Sequence, residues 1–247
     1  MLDSFDRGSL AVVIGASGGI GAALARAVED SGRFTVVIGV GRTTTPRIEL
    51  TDEASIAALA KHLRTPLPRR NPAGSDAPTA PLRLVIDATG FLHDVEFAPE
   101  KNWRALDPAY FARSFAVNAT GPALLMKHLL PLFPRQGKAV FATLSAKVGS
   151  IGDNRIGGWY AYRASKAALN QIVRCAAIEL ARTRPEAACV ALHPGTVDTA
   201  LSAPFAKTGL TTRTPEVTAA DLIAVLDRIG PTQSGSQISY TGEVLPP

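Results

Sequence analysis

The order of apolar and polar positions alternates between two kinds of segment. Short β-branched runs closed by glycine, beginning with LAVVIG at 10–15, suit strands buried on both faces of a parallel sheet. FTVVIGVG at 34–41, LRLVIDATG at 82–90, KAVFATLS at 138–145 and ACVALHPG at 188–195 repeat that pattern, and SQISY at 236–240 is a last short run. Between them lie stretches of helical length. One is alanine-rich (19–30), and one runs from the cap residue Asp52 to about 63. A third starts at the Asp107-Pro108 pair and runs to Leu130, before Pro131. A fourth covers about 160–182, and Thr214-Pro215-Glu216 opens a fifth. Strand and helix in strict alternation predict an α/β fold, a doubly wound parallel sheet of about seven strands with helices on both faces.

The chain has 247 residues, a length that α/β folds carry as one domain, here 1–247. The one break in composition is 65–81, with five prolines, which reads as an exposed loop rather than a linker. Apolar residues make up 46% of the chain, enough for a large core. The net charge of +5 admits an anionic partner, but the basic residues are scattered and only Arg69-Arg70 cluster. No basic stripe interleaved with aromatics supports nucleic-acid binding. No run has membrane-spanning length, and the start of the chain lacks the basic-then-apolar order of a signal peptide, so a cytoplasmic protein is expected. Cys175 and Cys189 both fall in apolar runs and are expected to be buried thiols. The four histidines show no metal-ligand spacing, no metal site is expected, and no Gly-x-Ser-x-Gly elbow marks a serine hydrolase.

Candidate chemistry begins after the first strand. GASGGIG places Gly15, Gly19 and Gly21 for a tight turn, a close backbone approach and close helix packing, with Ser17 and Ile20 between them. The helix N-terminus behind this turn offers free amides and partial positive charge to a phosphate. At the end of the second strand, an acidic residue would favour NAD by binding the ribose hydroxyls. GVGRTTT instead offers Arg42, with Thr43 and Thr44 beside it, which favours a 2′-phosphate and so NADP(H), with NAD(H) the alternative. Further on, Tyr162 and Lys166 are four apart and share a helix face. A free phenol titrates near 10 and a nearby ammonium lowers that, the tuning that proton transfer to a ketone oxygen requires. A lone Tyr-x-x-x-Lys pair is common by chance; a nucleotide turn upstream gives it meaning.

Taken together, these motifs resemble the short-chain dehydrogenase/reductase family. GASGGIG, DATG at 87–90, the asparagine of VNATGP, YRASK and HPGTVDT at 193–199 follow the family's order over nearly the whole chain. DNRIGGWYAYRASKAALN and the closing SYTGEVLPP are most similar to the C-factor-like and Sniffer-like carbonyl reductase branch. The resemblance implies a Rossmann-like three-layer fold and a homodimer or homotetramer built on the long helices around Asn118 and Tyr162. It implies that Tyr162 is the general acid in reduction and the base in oxidation. Lys166 would lower its pKa and hold the nicotinamide ribose, and Asn118 would hold a water in a relay behind the lysine. Asp87, Ala88, Thr89 and Gly90 would border the adenosine side, with Glu49 and Leu50 of IELTD near adenine. Pro194, Gly195, Val197 and Thr199 would line the nicotinamide.

The chain departs from the family pattern at the serine. Ser145 stands 17 residues before Tyr162 and Ser150 stands 12 before it. Ser145 is favoured as the carbonyl donor because it ends an apolar strand, with Ser150 the second choice; aligning on the family's common Ser-Ser pair would put Ala146 in the catalytic slot. Residues 196–214 are expected to form a loop that closes on substrate, and Val197, Leu201, Phe205 and Leu210 suggest a hydrophobic carbonyl compound or alcohol. The competing class is a cofactor-binding regulatory or signalling protein on the same fold with little turnover, since fold does not decide function.

Overall fold

The structure, a computed structural model, describes residues 1–65, 80–205 and 212–247. The proline-rich stretch at 66–79, with Arg69 and Arg70, and Leu210 of the expected substrate loop lie outside the described residues. Six strands form one sheet: β1 (Ser9–Ile14), β2 (Phe34–Val40), β3 (Leu82–Asp87), β4 (Ala139–Leu144), β5 (Ala187–His193) and β6 (Gln237–Ser239). Their order is β2-β1-β3-β4-β5-β6 and every neighbouring pair is parallel. The sequence suggested about seven strands. Among the described residues, the place beyond the end of β2 holds only an isolated parallel bridge between Gly41 and Arg47.

Alternation along the strands builds a core on each face. Leu10, Val12 and Ile14 of β1 join Ile56, Leu59 and Leu63 of α2 (Glu53–Arg64), Leu125 and Leu129 of α4 (Gly121–Leu129), and Leu169 and Val173 of α5 (Tyr160–Ala181). Ala11 and Val13 face the other way, onto Leu24 and Val28 of α1 (Gly19–Asp30) and Leu222 and Leu226 of α6 (Pro215–Arg228). The capping residues act as their chemistry dictates. Asp52 accepts from the Ala54 amide, Asp107 from those of Ala109 and Tyr110, and Thr214 from that of Val217.

Two expectations are corrected. The helix expected from 107 to 130 runs without a break but not as one regular α-helix: α3 (Pro108–Phe115) passes through a wider π turn at Ala116–Thr120 into α4. Asn118 lies within this turn, and its side chain bonds the main chain of Phe91. Cys189 is buried as expected, but Cys175 is exposed on the outer face of α5.

β1 pairs with β2 on one side and with β3 on the other, so chain connections leave it in opposite directions. That reversal opens a crevice at the carboxyl ends of the strands, where Gly15, Gly41, Asp87, Ser145 and His193 lie.

Candidate active site

The glycine turn is fixed by sterics. A Cβ on Gly21 would stand 2.1 Å from the Gly15 carbonyl oxygen, so the first turn of α1 packs directly on the strand end. Gly15 has φ +81° and a Cβ there would meet the Ala88 carbonyl at 3.1 Å. The Gly15 amide donates to Val40 and the Ala88 amide to Ile14, which ties the three strand ends together. Ser17, Gly18 and Gly19 are exposed, and α1 is entered from the N-cap Gly18 with no side chain on its first amides and no acid in its first turn. A bare helix N-terminus at the crevice, behind a turn in which Gly21 admits no Cβ, fits a phosphate. Ile20 instead packs against the core behind the turn.

The adenosine side is more varied. Arg42 is exposed and makes no ion pair among the described residues. Thr44 is not free: its hydroxyl serves the Gly41 amide and the carbonyls of Gly41 and Pro46. The bridge to Gly41 brings Arg47, a second exposed cation, alongside. Glu49 is half-buried, while Leu50 is buried against Gly121 and belongs to the core. Asp87 is fully buried. Its carboxylate accepts from Thr89 (amide 3.1 Å, hydroxyl 2.6 Å) and Thr143 (2.7 Å), which holds the 87–90 turn, while burial raises its pKa. Gly90 is exposed within reach of Asn118 and Lys166.

The catalytic candidates converge on the first two turns of α5. Tyr162 and Lys166 are 8% and 3% exposed and occupy its inner face. The Lys166 Nζ donates to the Leu144 carbonyl at 2.8 Å and stands 5.9 Å from the centre of the Tyr162 ring. Burial lowers its pKa to about 8 and Asp87 opposes the shift. Burial also pushes the Tyr162 phenol well above its usual value, and Tyr110 adds to this. The lowering expected of the lysine is not seen here; burial sets the direction of the shift. Asn118 is pinned from both ends of its amide: Oδ1 accepts from the Phe91 amide, and Nδ2 donates to the Phe91 carbonyl and to Ser165.

Neither serine presents a free proton. The Gln237 Nε2 donates to the Ala146 carbonyl (2.8 Å), so its Oε1 must accept from Asn170 Nδ2 (3.0 Å), and Asn170 Oδ1 is left facing Ser145. The single Ser145 hydroxyl proton is then given to Asn170 at 2.8 Å. Ser150 is 1% exposed, donates to the Pro247 carbonyl and accepts from the Asp153 amide.

The opposite wall is the Pro-Gly turn. Gly195 has φ +80°, and a Cβ there would lie 2.9 Å from Tyr240 and 3.0 Å from Arg213. Val197 is buried and bridges to Arg213 at the neck of the 196–214 loop, and Thr199 brings its methyl beside Gly19 of α1. Pro194 is half-buried after His193. The His193 Nδ1 accepts from the Lys147 amide; burial, then the charge of Lys147, lowers its pKa to about 4.

Phe205, expected in the substrate loop, is joined at the site by Trp159, His93 and Glu100, to which sequence reasoning gave no role there. Aromatic rings run outward from the tyrosine: Tyr162 meets Trp159 at 6.1 Å between centroids, Trp159 meets Phe205 at 5.2 Å, and Phe205 meets His93 at 5.3 Å. The His93 Nε2 is buried with no partner among the described residues. Glu100, from the loop before α3, reaches the start of α5. His93 and Glu100 have no local sequence signal, because each gains its role from a distant partner. Among the described residues, no cluster of three or more metal-ligating side chains occurs, and no helix is long and apolar enough to cross a membrane.

A parallel sheet with a glycine turn and a bare helix end at its switch point defines a nucleotide-binding α/β protein. The chain belongs to the short-chain dehydrogenase/reductase family of oxidoreductases, whose short chain dehydrogenase profile matches residues 9–209. It is 37% identical over 148 residues to C-signal of Myxococcus xanthus, covering 58% of this chain and 84% of that one. It is 29% identical over 236 residues to 1-hydroxy-2-glutathionyl-2-methyl-3-butene dehydrogenase of Rhodococcus sp. (strain AD45), covering 92% and 94%. The fold is that of the NADPH-bound carbonyl reductase from chicken fatty liver, with a TM-score of 0.80 at 22% identity over 98% of this chain and 96% of that one.

Proposed function

We propose that the protein is an NADP(H)-preferring carbonyl reductase, also able to oxidise the corresponding secondary alcohol. The observation that carries this reading is the buried Tyr162–Lys166 face of α5, standing at the same carboxyl end of the sheet as the uncapped N-terminus of α1. Gly15, Ser17, Gly19 and the first amides of α1 would hold the pyrophosphate of the cofactor, and Arg42, with Arg47 beside it, the 2′-phosphate. Asp87, Ala88, Thr89 and Gly90 would border the adenosine, with Glu49 and the main chain at Leu50 near the base. Pro194, Gly195, Val197 and Thr199 would enclose the nicotinamide. Bound there, the reduced cofactor supplies hydride to the carbonyl carbon.

The residues of the chain manage the proton. Tyr162 keeps its phenol protonated to high pH and gives that proton to the carbonyl oxygen. Lys166 and the pinned Asn118 stand behind it to return a proton from solvent. Ser145, whose proton is held by Asn170, braces β6 against α5 and is not the carbonyl donor in this reading. Trp159, Phe205 and His93 form an edge-to-face aromatic wall suited to an aryl carbonyl substrate. A groove of about 450 Å³ between α4 and α5, lined by Met126, Leu130, Ile172, Cys175, Ala176 and Leu180, supports pairing of two copies along these helices.

The test is a titration with NADPH and NADH, followed by turnover on aldehydes, ketones and quinones. Tight NADPH binding with carbonyl-dependent oxidation is expected. Tight binding with no turnover on any of them would favour the binding-protein class, and a preference for NADH would remove Arg42 from the site.

A further inference from the structure

Glu100 is 3% exposed, a buried carboxylate that the proposed proton transfer does not use. Its two oxygens accept from the Ala161 amide at 3.2 and 3.3 Å, and its main-chain carbonyl accepts from the Trp159 amide at 2.5 Å. Ala161 directly precedes Tyr162. Trp159, which enters the helix, has φ 54°, a left-handed conformation that a bulky side chain holds only when its surroundings enforce it. Here two adjacent glycines with positive φ, Gly157 and Gly158, lead in, and Arg163 ties their carbonyls down from inside the helix. Glu100 is the anchor on the other side.

We propose that Glu100 is a positioning residue for Tyr162: its carboxylate fixes the first turn of α5 and withholds the positive end of that helix from the phenol. An uncovered helix N-terminus carries about half a positive charge, felt within its first turn, and would favour a phenolate there. The carboxylate cancels that field. Glu100 also raises the pKa of Tyr110, second to burial, and Tyr110 in turn acts on Tyr162. The other charged or titratable groups near this phenol are Lys166 on α5, Asp94 beside Tyr110, and Asp87 of β3, which acts on Lys166. The inference rests on Tyr162 being the proton donor.

Two variants separate charge from reach. Glu100→Gln keeps the length and one acceptor oxygen but loses the charge; Glu100→Asp keeps the charge but shortens the arm. The assay is reduction of 4-nitrobenzaldehyde by NADPH across pH, with hydrogen exchange of the 159–166 segment as a readout independent of turnover. In E100Q the fall of kcat/KM at high pH should move down by about half a unit to one unit, with exchange at the Ala161 amide nearly unchanged. In E100D the limb should stay in place while kcat falls and exchange at 159–166 quickens. An E100Q profile that superimposes on wild type, while Tyr162→Phe is inactive, overturns the inference and leaves the proton-donor reading intact. A Y162F enzyme that turns over normally overturns both. If E100Q does not fold, an E100D limb displaced as far as about one unit overturns the charge argument by itself.

Discussion

Two helix N-termini face the same crevice and are used in opposite ways. The first turn of α1 is left bare: no side-chain cap, no acid, and at Gly21 a glycine where any Cβ would collide. The first turn of α5 is plugged by the carboxylate of Glu100 and entered through a left-handed tryptophan. Both ends offer the same free amides and the same partial charge. In the proposed reaction the difference follows from what each end would have to do. The α1 end would attract an anion from solution, and it is open. The α5 end would keep a phenol neutral until a carbonyl oxygen takes its proton, which is the part proposed for Glu100.

The α1 end breaks most readily. Gly21→Ala places a methyl against the Gly15 carbonyl, and cofactor affinity should be lost below detection, with roughly 1–3 kcal/mol of stability, in thermal melts and fluorescence titration. Arg42→Ala should cost about 10- to 100-fold in NADPH affinity and leave NADH nearly unchanged; equal losses for both cofactors would move the 2′-phosphate elsewhere.

Next to the Pro-Gly turn, His193 has a depressed pKa. Its contribution is present above the ordinary value of 6.5 and is lost as pH falls through about 4. Roughly 2–3 kcal/mol of stability should disappear over that window, and His193→Asn, which keeps an acceptor for the Lys147 amide, should flatten the loss. The smallest effect belongs to Ser145→Ala. It breaks the bond to Asn170 but removes no free donor, so turnover should change less than about tenfold, short of the 100-fold expected of a lost carbonyl donor.

These two regions also differ in how well the sequence reveals them. The α1 end is built from neighbours in the chain. A β-branched run, a glycine spacing and an alanine-rich helix state its geometry within about twenty residues, and the same local logic finds the caps at Asp52, Asp107 and Thr214. The α5 end is built from distant partners. Tyr162 and Lys166 are legible from helical spacing and Phe205 from the apolar content of its loop, but Glu100 and His93 matter only because folding brings them to Trp159 and its neighbours. The π turn at Asn118 is hidden for the same reason: its partner, Phe91, lies 27 positions away. The fate of the Ser145 proton depends on a chain through Asn170 and Gln237 that no spacing announces. Cys175 reads as buried because its neighbours are apolar; it lies on the face of α5 that lines the groove beside α4.

The central claim is that Tyr162 gives the proton. The most direct measurement compares Tyr162→Phe with wild type in NADPH binding and in carbonyl-dependent NADPH oxidation. Binding should stay within about twofold, because the ring and its packing against Trp159 remain, while turnover should fall by about 10²–10⁴-fold. A Y162F protein that binds NADPH and keeps most of its turnover would contradict the account.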